Sequence, residues 1–145
     1  MIKSLDDVKK DKKFTFKYKG VKYTLDLYKE LSINTNLLND SLKNSPSSYA
    51  FLCLVRDDYL KQKETLEREK ELAYAQIWIY YKDMYPKWTN ELTTQKAITS
   101  PKYQSISQEL EEINLTYNTI CSICKSFESR ERILQTLSAN LRKQS

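Results

Sequence analysis

Tyr103, Ile106, Leu110, Ile113, Tyr117, Ile120, Cys124 and Phe127 alternate three and four positions apart, and the residues between them are mostly polar or charged. A row with a mean period of 3.5 residues stays on one face of a helix and favours left-handed packing against another helix. The segment therefore predicts a long helix whose partner is also a helix. After a small phase shift the row continues through Arg130, Leu134, Leu137 and Leu141, with Glu128, Glu131 and Arg132 alongside. A two-helix hairpin hides only part of so long a seam. Phe127, Arg130, Glu131, Leu134, Leu137 and Leu141 are thus expected to join subunits of a homo-oligomer, with Glu131 and Arg130 or Arg132 as intersubunit ion pairs. The competing expectation is that the N-terminal region covers this surplus.

One glycine and three prolines in 145 residues leave few turn signals, which suits long helices better than a strand-rich fold. The exception lies at Phe14 to Leu25, where aromatic or β-branched residues alternate with Lys or Thr around Gly20. This pattern predicts a β-hairpin with Phe14, Phe16 and Tyr18 on one face, leaning on a helix or a neighbouring subunit because two strands alone are marginal in water. Asp26 to Asn44 is polar, with apolar groupings compatible with one or two short helices. Ser45-Pro46 reads as a cap followed by a first-turn proline, so a long helix is expected from there to about Tyr85, where Pro86 ends it. Lys87 to Ser100 reads as a connector with a helical turn near Thr93 to Ile98. Ser100-Pro101 repeats the cap signal and opens a helix running to about Leu141. The expected fold is mainly α: two long antiparallel helices forming a coiled-coil-like helical hairpin, with a small N-terminal β-hairpin and short helices. Residues 1–45 would form the N-terminal region and 46–145 the helical hairpin and oligomerisation region.

The chain has no histidine, which removes the commonest general base, the usual nucleophile triads and most catalytic zinc sites. Paired carboxylates such as Asp57/Asp58 and Glu111/Glu112 are adjacent in sequence and diverge by about 100° on a helix. No enzymatic activity, metal or cofactor is expected. Cys53, Cys121 and Cys124 are an odd number, no apolar leader-like segment opens the chain, and no run approaches the ~20 apolar residues of a membrane span. A reduced, cytoplasmic, non-membrane protein follows, with Cys124 as a packing residue on the apolar row.

The first long helix carries its own three-four row, Leu52, Arg56, Tyr59, Lys63, Leu66, Lys70, Ala73, Ile77, Tyr80 and Met84. Its cations recur every seven residues, roughly 10 Å apart at ~1.5 Å rise per residue. They form either a track for a phosphate backbone or a solvated edge whose field Glu64, Glu67, Glu69 and Glu71 nearly cancel. Farther along, Tyr74, Trp78, Tyr80, Tyr81, Tyr85 and Trp88 cluster beside Lys82 and Lys87. Rings for stacking with cations for phosphate would hold a single strand without sequence preference, whereas rings at helical spacing also serve as core. Trp88, beyond Pro86 and beside Lys87, is the ring expected to be exposed. A net charge of +5 is modest for one chain and multiplies in an oligomer.

Three stretches give the chain a family likeness: Leu66-Glu67 with Lys70 to Ala73 and Ala75 to Tyr80-Tyr81; Lys96-Ala97-Ile98-Thr99-Ser100-Pro101-Lys102; and Tyr117 through Cys121 and Phe127 to Ser129-Arg130, Ile133 and Leu137. Over roughly its last two thirds the sequence resembles the phage recombination mediator family typified by UvsY. The resemblance implies a ring-forming homo-oligomer that binds single-stranded DNA, remodels its coat of single-strand-binding protein and loads a RecA-like recombinase, in the host cytoplasm if phage-encoded. One departure stands out. The family's prototype has Lys and Arg two and four residues after the position matching Ala73, where this chain has Ala75 and Ile77. Nucleic-acid binding is therefore assigned to Lys63, Arg68, Lys70, Lys82, Lys87 and Trp88. The alternative is a coiled-coil scaffold or interaction protein without nucleic-acid binding.

Overall fold

The computed structural model describes the backbone of residues 13–26 and 38–144, and the side chains of 13–25 and 48–144. In chain order the elements are strands β1 (Lys13–Tyr18) and β2 (Val21–Asp26) and helices α1 (Leu38–Met84), α2 (Asn90–Ile98) and α3 (Pro101–Gln144). The fold is mainly α-helical, with two long antiparallel helices packed together, a short helix and an N-terminal hairpin. Contacts divide the chain into two units, one ending at Arg56 and resuming at Thr119, the other spanning Asp57–Asn118.

In the first unit β1 and β2 pair antiparallel, with Phe16 opposite Tyr23 and Tyr18 opposite Val21. The two turn residues, Lys19 (φ 50°) and Gly20 (φ 77°), both have positive φ, as a two-residue hairpin turn matching the strand twist requires. Only one of them needs an L side chain in the left-handed region, because the chain's sole glycine takes the other. The hairpin leans on a helix, as expected of two strands that cannot stand alone. Phe16 is buried, and Phe51 of α1 meets the rings of Tyr23 at 5.1 Å, Tyr18 edge-on at 5.6 Å and Phe16 at 6.3 Å.

Helix α1 begins ahead of the expected cap at Ser45-Pro46, which becomes part of its third turn. An interior proline deletes one backbone hydrogen bond and crowds the carbonyl four residues back, at ~3 kcal/mol, while the turns on either side keep their bonds. Residues 38–44 are thus the opening turns of α1 rather than a separate short helix. The rest of the segment read as short helices, 27–37, lies outside the described residues.

The core of this unit joins Leu52 and Val55 of α1 with Ile120, Ile123, Cys124, Phe127 and Leu134 of α3, all buried. The Tyr49 hydroxyl donates to the Glu128 carboxylate, and this bond raises the phenol above its ordinary range. Cys124 packs on the seam with its thiol pushed up to about 11, mainly by burial. All three cysteines are free.

In the second unit the seam of α1 alternates between buried Tyr59, Leu66 and Ala73 and half-buried Lys63, Lys70 and Ile77. Lys63 lies over the Tyr117 ring of α3 and Lys70 over Tyr103, so an earlier residue of one helix meets a later residue of the other, the mark of an antiparallel pair. The expected connector contains α2. Thr89 caps it, its hydroxyl accepting from the Leu92 amide at 3.1 Å, and Thr93 and Ala97 turn inward. Threonine's readiness to cap and turn explains why the stretch reads as loop in sequence. Ser100 opens α3 as expected, its buried hydroxyl donating to the Ala97 carbonyl at 2.8 Å and accepting from the Tyr103 amide at 3.4 Å.

Candidate nucleic-acid interface

The end of α1, the turn at Pro86 and the start of α2 form a tip whose rings and cations are held by the backbone. Tyr85 and Trp88 close the turn through main-chain bonds, Tyr85 N–H to the Tyr81 carbonyl at 2.8 Å and Trp88 N–H to the Tyr85 carbonyl at 3.1 Å. These bonds bring the two rings into a parallel stack, centroids 4.2 Å apart and planes 9° apart. Tyr81 packs against the Trp88 ring at 5.8 Å, and Tyr80 against Tyr81 at 5.6 Å. The result is a continuous array Tyr80, Tyr81, Trp88, Tyr85.

Beneath it, Thr94 of α2 anchors two more rings, accepting from the Trp78 indole at 3.2 Å and the Tyr74 hydroxyl at 3.4 Å. Trp78 and Tyr74 therefore belong to the packing between helices, where buried polar tips need partners. Trp88 is half-buried rather than the most exposed ring. Its stack with Tyr85 covers one face, and Tyr80 (58% exposed) and Tyr85 (44%) are the rings that solvent reaches.

The six residues assigned to nucleic acid fall into three places. Lys82, Lys87 and Trp88 are together at the tip. The Lys82 ammonium donates to the Trp88 carbonyl at 2.7 Å and lies 6.0 Å from the Trp78 ring centre, so it pins the turn as well as charging it. Lys87 is exposed. Lys63 and Lys70 sit on the α1 face turned to α3, 5.2 and 5.4 Å from the centres of the Tyr117 and Tyr103 rings, where their stems fill the seam. Arg68, two residues from Lys70 and so roughly 160° away around the helix, points elsewhere and donates to the Thr65 hydroxyl at 3.3 Å. One strand could not follow all three cations along a single face.

A further tip cation was not among the residues assigned to nucleic acid from the sequence. Lys96, in the last turn of α2, sits 6.0 Å from the centre of the Trp88 ring. The signal that would have found it is the Thr89 cap, which starts a helix and places Lys96 seven residues on. Around Lys70, by contrast, Glu67, Glu71, Tyr74, Ile98, Tyr103 and Leu110 line a cavity of about 570 Å³. Its two carboxylates offset the ammonium and make the site poor for a polyanion.

Of the residues expected to join subunits, Phe127, Arg130 and Leu134 are buried within one chain, Glu131 and Leu137 are half-buried, and Leu141 is 53% exposed. The Arg130 Nε is enclosed without a hydrogen-bond partner. Among the described residues no group of three His, Cys, Asp or Glu side chains converges as a metal site, and no helix is long and apolar enough to cross a membrane.

These features define a class, a helical-hairpin protein with an aromatic, cationic tip. The same fold is found in a known recombination protein. Two crystal structures of the bacteriophage T4 recombination mediator protein UvsY, in different lattice types, align with this chain at a TM-score of 0.70 each. They are 12% and 11% identical to it, over 99% of this chain and 100% and 98% of theirs. No protein-family model matches the sequence, and no curated protein matches it. The likeness is one of fold.

Proposed function

We propose that this chain is a non-enzymatic recombination mediator that binds single-stranded DNA and loads a RecA-like recombinase onto strands coated by single-strand-binding protein, in the cytoplasm of a phage host. The observation that carries the reading is the agreement of fold with the T4 mediator over essentially the whole of both chains. The tip supports it. Bases stack on the exposed faces of Tyr80 and Tyr85, while Lys87, Lys82 and Lys96 neutralise phosphates beside them, a chemistry that tolerates any sequence. Lys63 and Lys70, over the seam rings, and Arg68, on another face of α1, take no part in this contact, and Trp88 backs the Tyr85 ring.

The hairpin of residues 46–145 also carries assembly, with residues 1–45 as an N-terminal region. Subunits meet at the C-terminal edge of α3, where Leu141, Leu137 and Glu131 offer accessible surface and Phe127, Arg130 and Leu134 support it from within. Several tips in one homo-oligomeric ring then hold a strand by avidity although each alone is weak.

Titration of the oligomer with a fluorescent single-stranded oligonucleotide tests the tip. Lys87→Glu together with Lys96→Glu should lower affinity by about tenfold or more at low salt, since two phosphate contacts become repulsions. Unchanged affinity in that variant removes the tip from the reading. No binding by the intact oligomer at low salt leaves the coiled-coil scaffold instead.

A further inference from the structure

Helix α1 has a second stripe, on the side away from its seam with α3. Arg68, Leu72, Ala75, Gln76, Ile79 and Asp83 fall within an arc of about 100°, at roughly 100° per residue, and all are exposed. Leu72 is 59% exposed and Ile79 57%. Leu72 and Ile79 stand seven residues apart on this face with Ala75 between them. Helix–helix contacts are built on that spacing.

The order of the stripe is its most informative property. Read from either end towards the middle it gives a charge, a large aliphatic residue and then the pair Ala75 and Gln76, with a cation at one end and an anion at the other. We infer that this face pairs with the same face of a second copy of this chain, antiparallel about a twofold axis between Ala75 and Gln76.

In that arrangement Arg68 of each copy meets Asp83 of the other, and Leu72 meets Ile79, each contact occurring twice as a twofold interface demands. A parallel pairing would set Arg68 against Arg68 and Asp83 against Asp83, which like-charge repulsion disfavours. Ala75 at the crossing point lets the helices approach closely, and the two Gln76 amides are placed to bond each other. One cation and one anion leave the stripe neutral, so it has no pull on a phosphate backbone.

The contact spans about 22 Å of helix at ~1.5 Å per residue, and such a strip buries less than the ~1,200 Å² of a stable specific interface. One pair is therefore weak. Its effect is to join one assembly, held at the C-terminal edge of α3, to another, where several such faces engage together. The inference does not depend on DNA binding.

Charge exchange in the full-length protein tests it. The weight-average mass is measured by sedimentation equilibrium over a concentration series for the wild type, Arg68→Asp, Asp83→Arg and the double exchange. All are surface changes on a helix. Each single reversal should weaken self-association by about tenfold or more, because it sets two like charges against each other at both ends of the twofold. The double exchange should return it to within about threefold of wild type by restoring both pairs. A double variant no better than the singles, or three variants that associate as the wild type does, overturns the pairing.

Discussion

Single side chains at the tip and in the core carry distinct and separable effects. Tyr85 has one face on Trp88 and is exposed to solvent, so it is the ring to which an incoming base would add. Tyr85→Ala should weaken binding of a single-stranded oligonucleotide by about tenfold, the order of one lost base–aromatic stack. Fluorescence titration checks it, with Tyr74→Phe as the control, because that hydroxyl serves only the packing against Thr94. Cys124 gives a pH signature in the core. Its folded pKa of about 11 lies above the ordinary thiol value of 9.0, so the folded state holds the proton more tightly than the unfolded chain does. The stability this supplies is complete below pH 9 and is lost as pH rises towards about 11. Denaturant unfolding at pH 8 and pH 10.5 should show a fall in the wild type that Cys124→Ala reduces. An equal fall in both would assign the alkaline loss to other groups.

The elements differ in how plainly the sequence announces them, and the reasons are physical. The hairpin was legible because strand alternation flanks Gly20 and a two-residue turn needs positive φ. The seam of α3 was legible as a helix because its three-four row fits one helical face. Two things were not. Pro46 next to Ser45 has the chemistry of a helix start, yet α1 runs through it, since the loss of one backbone bond is outweighed by the turns on either side. Pro46→Ala is therefore expected to raise stability by ~1–3 kcal/mol in thermal or denaturant unfolding, whereas the same change at a first-turn proline would bring no such gain. The cationic row of α1 was ambiguous for a different reason. A lysine stem is apolar enough to fill a seam and its head polar enough to seek phosphate, and only the Tyr103 and Tyr117 rings opposite show which face it takes. The C-terminal stretch of α3 has a similar lesson. Leu134 follows the same three-four row as Leu141, but it is fully buried and Leu141 is half exposed. Leu134→Asp should accordingly cost 3 kcal/mol or more, roughly, as a charge forced into a core, and lower the melting temperature followed by circular dichroism. Leu141→Asp should leave the melt within about 0.5 kcal/mol of wild type and reduce the mass of the oligomer.

For the whole molecule, number is what links a long helical hairpin to the proposed strand-holding function. A net charge of +5 on one chain exerts little pull on DNA, and the tip offers only three cations, Lys82, Lys87 and Lys96. Several copies in the proposed assembly would multiply both. Binding should then be tight at low salt, weakly dependent on base sequence and lost when the assembly falls apart. The stacked rings of the tip and the cations beside them are the features from which this expectation is drawn. The most direct test is the affinity of the assembled protein for a single-stranded oligonucleotide as salt is raised from about 50 to 500 mM. Because ~0.7 counterions are released per phosphate neutralised on a single strand, a log–log slope of about −2 or steeper is predicted. A flat dependence, or no binding at the lowest salt with the oligomer intact, would contradict the account.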